Sequence, residues 1–350
     1  MFPLRTCFTD LVGVRVPIVQ APIGSATCPA LVAAVSNAGG LGMLAVTWRG
    51  VSEIRECIRE TKRLTERPFG VNLVLEWPAT KRLSVCLEEG VPVVSLFWGD
   101  PTPYVPRIHR TGSKVIHSVG TVAEARLALL AGVDAIVAQG WEAGGHVRGE
   151  VATFPLLPRV VDAVGPTPVL ASGGIADGRG VAAALMLGAA GVWVGTRFLA
   201  SEEASVDPLY KANIVSAGES DTVRSELFDV GWRNAPHRSL RNSTVVNWVA
   251  AGSPPPGSRP GEREIIAKLP SGDGIARYSD VIPVAGATGD LEALALYAGQ
   301  SVGLVSDIQP AGQIVEEMAR DARRTLATSA RLLEGKGQTA RSPRSKRLRP

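Results

Sequence analysis

The chain has 350 residues, 45% of them apolar and 20% charged, which leaves room for a deep core and excludes wholesale disorder. Its formal charge of +4 invites a nucleic-acid reading, yet residues 335–350 hold six Lys/Arg and no acid, so the preceding 334 residues carry −2. The basicity therefore sits in a tail that is expected to be disordered, and neither nucleic acid nor a membrane is expected as a partner.

The N-terminal segment MFPLRTCFTD lacks a long apolar stretch, and no apolar run approaches ~18 residues. Cys7, Cys28, Cys57 and Cys86 stand apart, with no CxxC or Cys/His metal spacing, and the four histidines are scattered. Free thiols, a cytoplasmic location and no metal centre are the expectation. From residue 16 to about 200, short β-branched runs alternate with Ala/Leu-rich helical stretches. The spacing predicts strands over 17–20, 42–45, 70–73, 93–97, 115–119, 135–139, 168–172 and 191–195. Helical patterns between them include 29–38, 53–64, 122–130 and 180–187, several followed by a stop glycine (Gly39, Gly90, Gly132, Gly188).

Eight strand–helix units are the number that closes a parallel (β/α)8 TIM barrel. An open doubly wound sheet is the alternative, but residues 20–24 (QAPIG) after the first strand carry no GxGxxG fingerprint. We therefore expect an α/β TIM barrel over residues 1–205, completed by about 303–334. Residues 206–302 lose the alternation and are expected to form a smaller, mainly helical subdomain capping the mouth. Within it, the loop 252–261 (GSPPPGSRPG) is expected to be mobile. His109 and His237 are read as surface residues, while Trp232 and Trp248 either line a pocket or, the preferred reading, form the subdomain core.

Barrel active sites are built at the C-terminal ends of the strands, often with a phosphate site after the last two. That rule selects Ala21, Pro22 and Ile23 after the first strand, Asn72 on the third, Trp98-Gly99 after the fourth and His117-Ser118 on the fifth. It then selects Gln139 with the loop 140–149 (GWEAGGHVRG), Ser172-Gly173-Gly174, and Gly195-Thr196. Glycines admit an anion to the backbone, and N–H groups at helix starts favour negative charge. Taken singly, such glycines serve equally to close tight turns. Their coincidence on adjacent strands points to a phosphate cradle. In the sixth loop, His146 follows Gly144-Gly145 and is the candidate acid/base group. His117 faces either the barrel or the helices. Glu142 lacks a second acid on a separate strand, so a glycosidase is disfavoured, and no GxSxG is present.

Together, residues 20–24, 37–42 (NAGGLG), 70–73 (GVNL), 142–146 (EAGGH), 171–178 (ASGGIADG) and 195–199 (GTRFL) resemble the nitronate monooxygenase family, formerly called 2-nitropropane dioxygenases. The resemblance extends to residues 297–300 (YAGQ). It implies a TIM barrel holding FMN, an O2-dependent oxidation of alkyl nitronates to carbonyl compound and nitrite, and His146 as the catalytic histidine. Ala21, Pro22, Ile23, Asn72 and Gln139 would then lie about the flavin ring. Gly145, Gly173, Gly174, Gly195 and Thr196 would hold the ribityl phosphate, Ser118, Gly144 and Ser172 would also contact the cofactor, and Gly299 and Gln300 would close the site from the lid. Ile23 stands where many relatives have Met and Ser118 where many have Gln, and the loop after His146 follows a different sequence. On the same scaffold, an FMN-dependent enoyl-acyl-carrier-protein reductase or an NADH:quinone reductase is the alternative. Nothing in the pattern assigns an oligomeric state.

Overall fold

The computed structural model describes residues 4–333; the expectation for the basic tail 335–350 falls outside them. The chain opens with a short helix, α1 (Cys7–Val12), capped by Thr6 and ended by Gly13 in the left-handed region. The barrel alternation follows as β1 (Ile18–Gln20), α2 (Pro29–Asn37), β2 (Gly42–Ala45), α3 (Val51–Leu64), β3 (Phe69–Val74) and α4 (Thr80–Glu88). It continues through β4 (Val93–Phe97), α5 (Val105–His109), β5 (Lys114–Val119), α6 (Val122–Leu130) and β6 (Ala135–Gln139). A two-residue strand, β7 (Gly145–His146), interrupts the loop before α7 (Thr153–Val164), β8 (Val169–Ser172), α8 (Gly178–Met186), β9 (Gly191–Val194) and α9 (Thr196–Leu199).

The eight long strands run parallel in the order β1-β9-β8-β6-β5-β4-β3-β2. The first and last are joined by a Val19–Leu41 bridge, in which the Gln20 N–H donates to the Leu41 carbonyl at 3.0 Å. The sheet is a TIM barrel, as the alternation predicts.

Two apolar layers hold it. Val19, Leu41, Met43, Val93, Ile116, Val137, Leu170 and Trp193 fill the barrel interior together with Phe8 and Val12, so α1 packs against the same filling. The other strand faces pack against the helices around Leu31, Ile54, Leu83, Val160 and Val181. Strands buried on both faces explain why the sequence shows short apolar runs rather than alternation. Local signals set the helix ends: Asp177 caps α8 by accepting from the Arg179 and Gly180 N–H groups, and Thr121 caps α6. The four stop glycines all adopt positive φ.

After α9 come α10 (Pro208–Ser216), β10 (Thr222–Ser225), β11 (His237–Leu240), α11 (Ser243–Ala250), β12 (Ile265–Lys268), β13 (Gly274–Ala276) and β14 (Thr288–Gly289). The expectation of a mainly helical subdomain is corrected here. Two helices share this segment with two small antiparallel sheets, β10-β11-β7 and β13-β12-β14. Strands this short carry too few residues for period-two alternation to stand out. The 252–261 loop is also better anchored than its composition implies. Arg259 is buried, donates to Leu227 O and Asp229, and lies 4.3 Å above the Tyr278 ring. Finally α12 (Ala311–Leu333) returns to pack on α8 and α2, where a Cβ on Gly178 would lie 2.6 Å from Asp321 Cβ.

The contact between α2 and β2 is equally close. A Cβ on Gly42 would fall 2.7 Å from the Cα of Val32, where backbone leaves nothing to yield. Gly42→Ala is expected to destabilise the fold by about 2 kcal/mol, read as a lower urea midpoint. Gly50→Ala, at a position with nothing within 4 Å, is the control and should leave the midpoint in place. Equal midpoints for both variants would contradict this packing.

Candidate active site

The loops at the C-terminal ends of the strands enclose a cavity of about 360 Å3 under the lid segment, within the usual size range of small-molecule sites. Of the residues selected from sequence, Ala21, Pro22, Ile23, Asn72, Ser118, Gln139, Gly144, Gly145, His146, Ser172, Gly173, Gly174, Gly195, Thr196 and Gly299 all line it. Gln300 does not: it is exposed, and its N–H donates to Glu142 O at 3.0 Å. Its neighbours Gly299 and Ser301 line the cavity in its place. His117 is buried but is not a lining residue.

Hydrogen bonds hold the loops against one another. The Thr153 hydroxyl donates to Ser172 O and Gly173 O at 3.0 and 3.2 Å, while the Thr153 N–H donates to the Glu142 carboxylate at 3.0 Å. Glu142 is thus occupied as a loop clamp. The Gly299 N–H donates to Thr196 Oγ1 at 2.9 Å, which fastens the chain leaving the lid to the eighth barrel loop. Gly144 permits a backbone crossing there, since a Cβ on it would lie 2.6 Å from the Ala298 carbonyl carbon. Gly173 and Gly174 both take positive φ, at 102° and 73°. Among the described residues no acceptor meets the main-chain N–H groups of Gly173, Gly174 or Gly195, so these amides are left for an anion.

His146 sits on β7, which pairs antiparallel with lid strand β11, His146 opposite His237 and Gly145 opposite Arg238. Its backbone carbonyl accepts from Gln139 Nε2 at 3.1 Å. The ring stacks on Trp232, centroids 4.1 Å apart, and Tyr297 and His237 lie at 5.4 and 5.5 Å. What the ring exposes faces the cavity rather than bulk water, so burial depresses its pKa to about 3, and His237 adds to the effect. The imidazole is neutral at any working pH. Its Nε2 is shielded and has no partner among the described residues. An unsatisfied nitrogen at a cavity wall needs a reason.

Two readings of single residues are corrected by burial. His237 is wholly buried rather than on the surface. Its Nε2 accepts from the Phe228 N–H at 3.2 Å, which makes Nδ1 the protonated nitrogen, donating to Ala235 O at 3.0 Å. Trp232 is buried, but it lines the cavity instead of filling the subdomain core. It belongs to an aromatic wall in which Trp77 and Trp98 lie 4.9 and 4.8 Å from it, with half-exposed Trp48 5.5 Å beyond Trp77. Trp98 holds a positive φ of 60°, a strained conformation for a bulky residue. Sequence reasoning also missed Tyr297, Tyr210 and Asp280 as lining residues. Only Tyr297 carried a signal, inside the 297–300 motif.

The comparisons with known proteins agree with this geometry. The sequence model described as nitronate monooxygenase matches residues 5–81 and 77–321. The chain belongs to the nitronate monooxygenase family. It is 33% identical to the nitronate monooxygenase of Pseudomonas aeruginosa, the match covering 90% of this chain and 99% of that one. It is 35% identical, over 95% and 99% of the two chains, to a Mycobacterium tuberculosis protein named (3aS,4S,5R,7aS)-5-hydroxy-7a-methyl-1-oxo-octahydro-1H-indene-4-carboxyl-CoA dehydrogenase. The solved structure of FabK from Thermotoga maritima superposes with a TM-score of 0.78 at 37% identity, covering 95% of this chain and 99% of that one. The chain is accordingly an oxidoreductase of this family. No helix among the described residues is long and apolar enough to cross a membrane, and no group of three or more His, Cys, Asp and Glu side chains among them could hold a metal ion.

Burial of neutral histidines sets the acid response of the fold. Burial lowers His117, His146 and His237 to about 4, 3 and 4, against ~6.5 for a free histidine. Below pH ~6.5 the unfolded chain takes up protons that the native state refuses. Stability that is complete above that pH is therefore lost on acidification, at roughly 1.4 kcal/mol per pH unit for each ring. Urea midpoints should fall steadily from pH 7 to pH 5, and a flat profile would contradict burial of these rings.

Proposed function

We propose that the chain is an FMN-dependent oxidoreductase that oxidises alkyl nitronates with O2 to carbonyl compound and nitrite. The observation that carries the reading is His146, a neutral, desolvated imidazole whose Nε2 has no partner among the described residues, beside loops whose amides meet no acceptor among them. The residues present fit the cofactor: Gly173, Gly174, Gly195 and Thr196 would take its phosphate, and Ala21, Pro22, Ile23, Asn72 and Gln139 would flank its ring. When bound, FMN supplies the electron chemistry, accepting electrons from the substrate and passing them to O2.

The protein's own part is binding and proton handling. A neutral imidazole offers one N–H donor, which can hold the nitronate oxygens, and one bare nitrogen, which can accept the α-proton of a neutral nitroalkane. The aromatic wall keeps water from that exchange, which strengthens a hydrogen bond to an anion.

His146→Asn keeps a hydrogen-bond donor but removes the base. Nitroalkane turnover should fall by about 10²-fold or more while nitronate turnover falls far less, with FMN retained. Equal losses on both substrates would overturn this division of labour.

A second reading, redox chemistry on an acyl thioester, is favoured by the aromatic wall of Trp48, Trp232 and Tyr297, which suits a larger apolar substrate. The name of the Mycobacterium relative, a carboxyl-CoA dehydrogenase, points the same way. Nitrite release from propionate 3-nitronate supports the first reading. NADH oxidation with a crotonyl thioester or quinone, without nitrite, would replace it.

A further inference from the structure

The lid contributes one polar group to the cavity that the reaction above does not use. Asp280 is half-buried and is the only carboxylate lining the cavity among the described residues, followed in the chain by Val281 and Ile282, which line it too. No cation and no side-chain donor meets its carboxyl group among those residues, and its own N–H donates to Val230 O at 3.1 Å. Burial raises its pKa to about 6.

Its surroundings make this arrangement costly at a second position. Gly231 holds φ at +121°, and a Cβ there would lie 2.7 Å from Asp280 Cγ, so glycine is what leaves room for the carboxylate. The next residue is Trp232, the ring stacked on His146. On the other side the Tyr297 hydroxyl donates to Asp280 O at 3.4 Å, and the same Tyr297 ring lies 5.4 Å from that of His146. Asp280 and His146 therefore belong to one cavity wall, a tyrosine apart. A half-buried carboxylate in a cavity wall, with no partner among the described residues, is unfavourable unless something outside the protein supplies the donor.

Taking the cavity as the substrate site, which rests on the function proposed above, we propose that Asp280 recognises the substrate, accepting a hydrogen bond from a hydroxyl or ammonium head on an otherwise apolar molecule. The reacting group lies at His146 and the head at Asp280. An aromatic wall between two polar anchors selects for an apolar body of matching length.

The test uses the FMN-loaded protein and three nitropentanes that end in methyl, hydroxyl or ammonium. Binding is read anaerobically from the perturbation of the flavin absorbance, and nitrite is measured separately in air from the corresponding nitronates. The wild type should bind one of the headed probes about tenfold more tightly than the methyl-ended one. Asp280→Ala should erase that preference while leaving the methyl-ended affinity within about twofold and FMN bound. Asp280→Asn should keep part of a hydroxyl preference but lose an ammonium preference, which tells the two heads apart. Equal affinity for all three probes, no binding of any, or a preference that survives Asp280→Ala would overturn the proposal. So would an equal weakening of every probe or loss of FMN in Asp280→Ala, since either marks a structural role. Absence of nitrite with the head preference intact sinks the nitronate reading alone; nitrite formation without the preference sinks the role of Asp280 alone.

Discussion

A two-residue strand joins the barrel to its lid. β7 consists of Gly145 and His146, and it pairs with Arg238 and His237 of β11, so the candidate catalytic residue is a member of a lid sheet as well as of a barrel loop. The pairing fixes the backbone from which the imidazole projects. It places Trp232, His237 and Tyr297 about the ring and draws the 298–299 segment against Gly144. The Ala298 N–H donates back to Arg238 O at 3.2 Å, and Gly299 then donates to Thr196. Barrel loops six and eight are thereby held to the same stretch of lid.

Burial of the histidine rings follows from this closure and sets the chemistry. His146 and His237 are both held neutral by burial, and His237 is locked in one tautomer by Phe228 and Ala235. A site without charge at its histidines lets an anionic substrate supply the charge, in surroundings where each hydrogen bond to it is stronger than in water. On the proposed function, the phosphate side needs no charged side chain either, because among the described residues no acceptor meets the amides of Gly173, Gly174 and Gly195. Such a site depends on its glycines: a tight turn, a backbone crossing and bare amides each require one.

The barrel was legible because its signal repeats. Eight apolar runs separated by helical patterns survive an error of a residue or two at each end, and the rule that barrel sites sit at C-terminal strand ends converted those runs into lining residues. Most of the residues that the rule and the family resemblance select line the cavity, but Trp98, Gly99 and His117 do not, and neither does Gln300, which is exposed after Gly299. The lid was poorly legible. Strands of two to four residues leave no periodicity, so nothing in the sequence marks β10 to β14 as strands. His237, Trp232 and Asp280 acquire their roles only from contacts across the fold: a register partner, a stacked ring and an apolar cavity wall. No local pattern around them distinguishes these roles from surface or core.

The central claim is that the barrel loops and the lid together form a flavin site whose reducing substrate reacts beside His146. An anaerobic absorbance spectrum of the purified protein, taken before and after a nitronate is added, tests it most directly. The account predicts a bound-flavin spectrum that changes on addition of the nitronate and recovers when air is admitted. Protein that retains no flavin, or a flavin spectrum indifferent to nitronate, would contradict it.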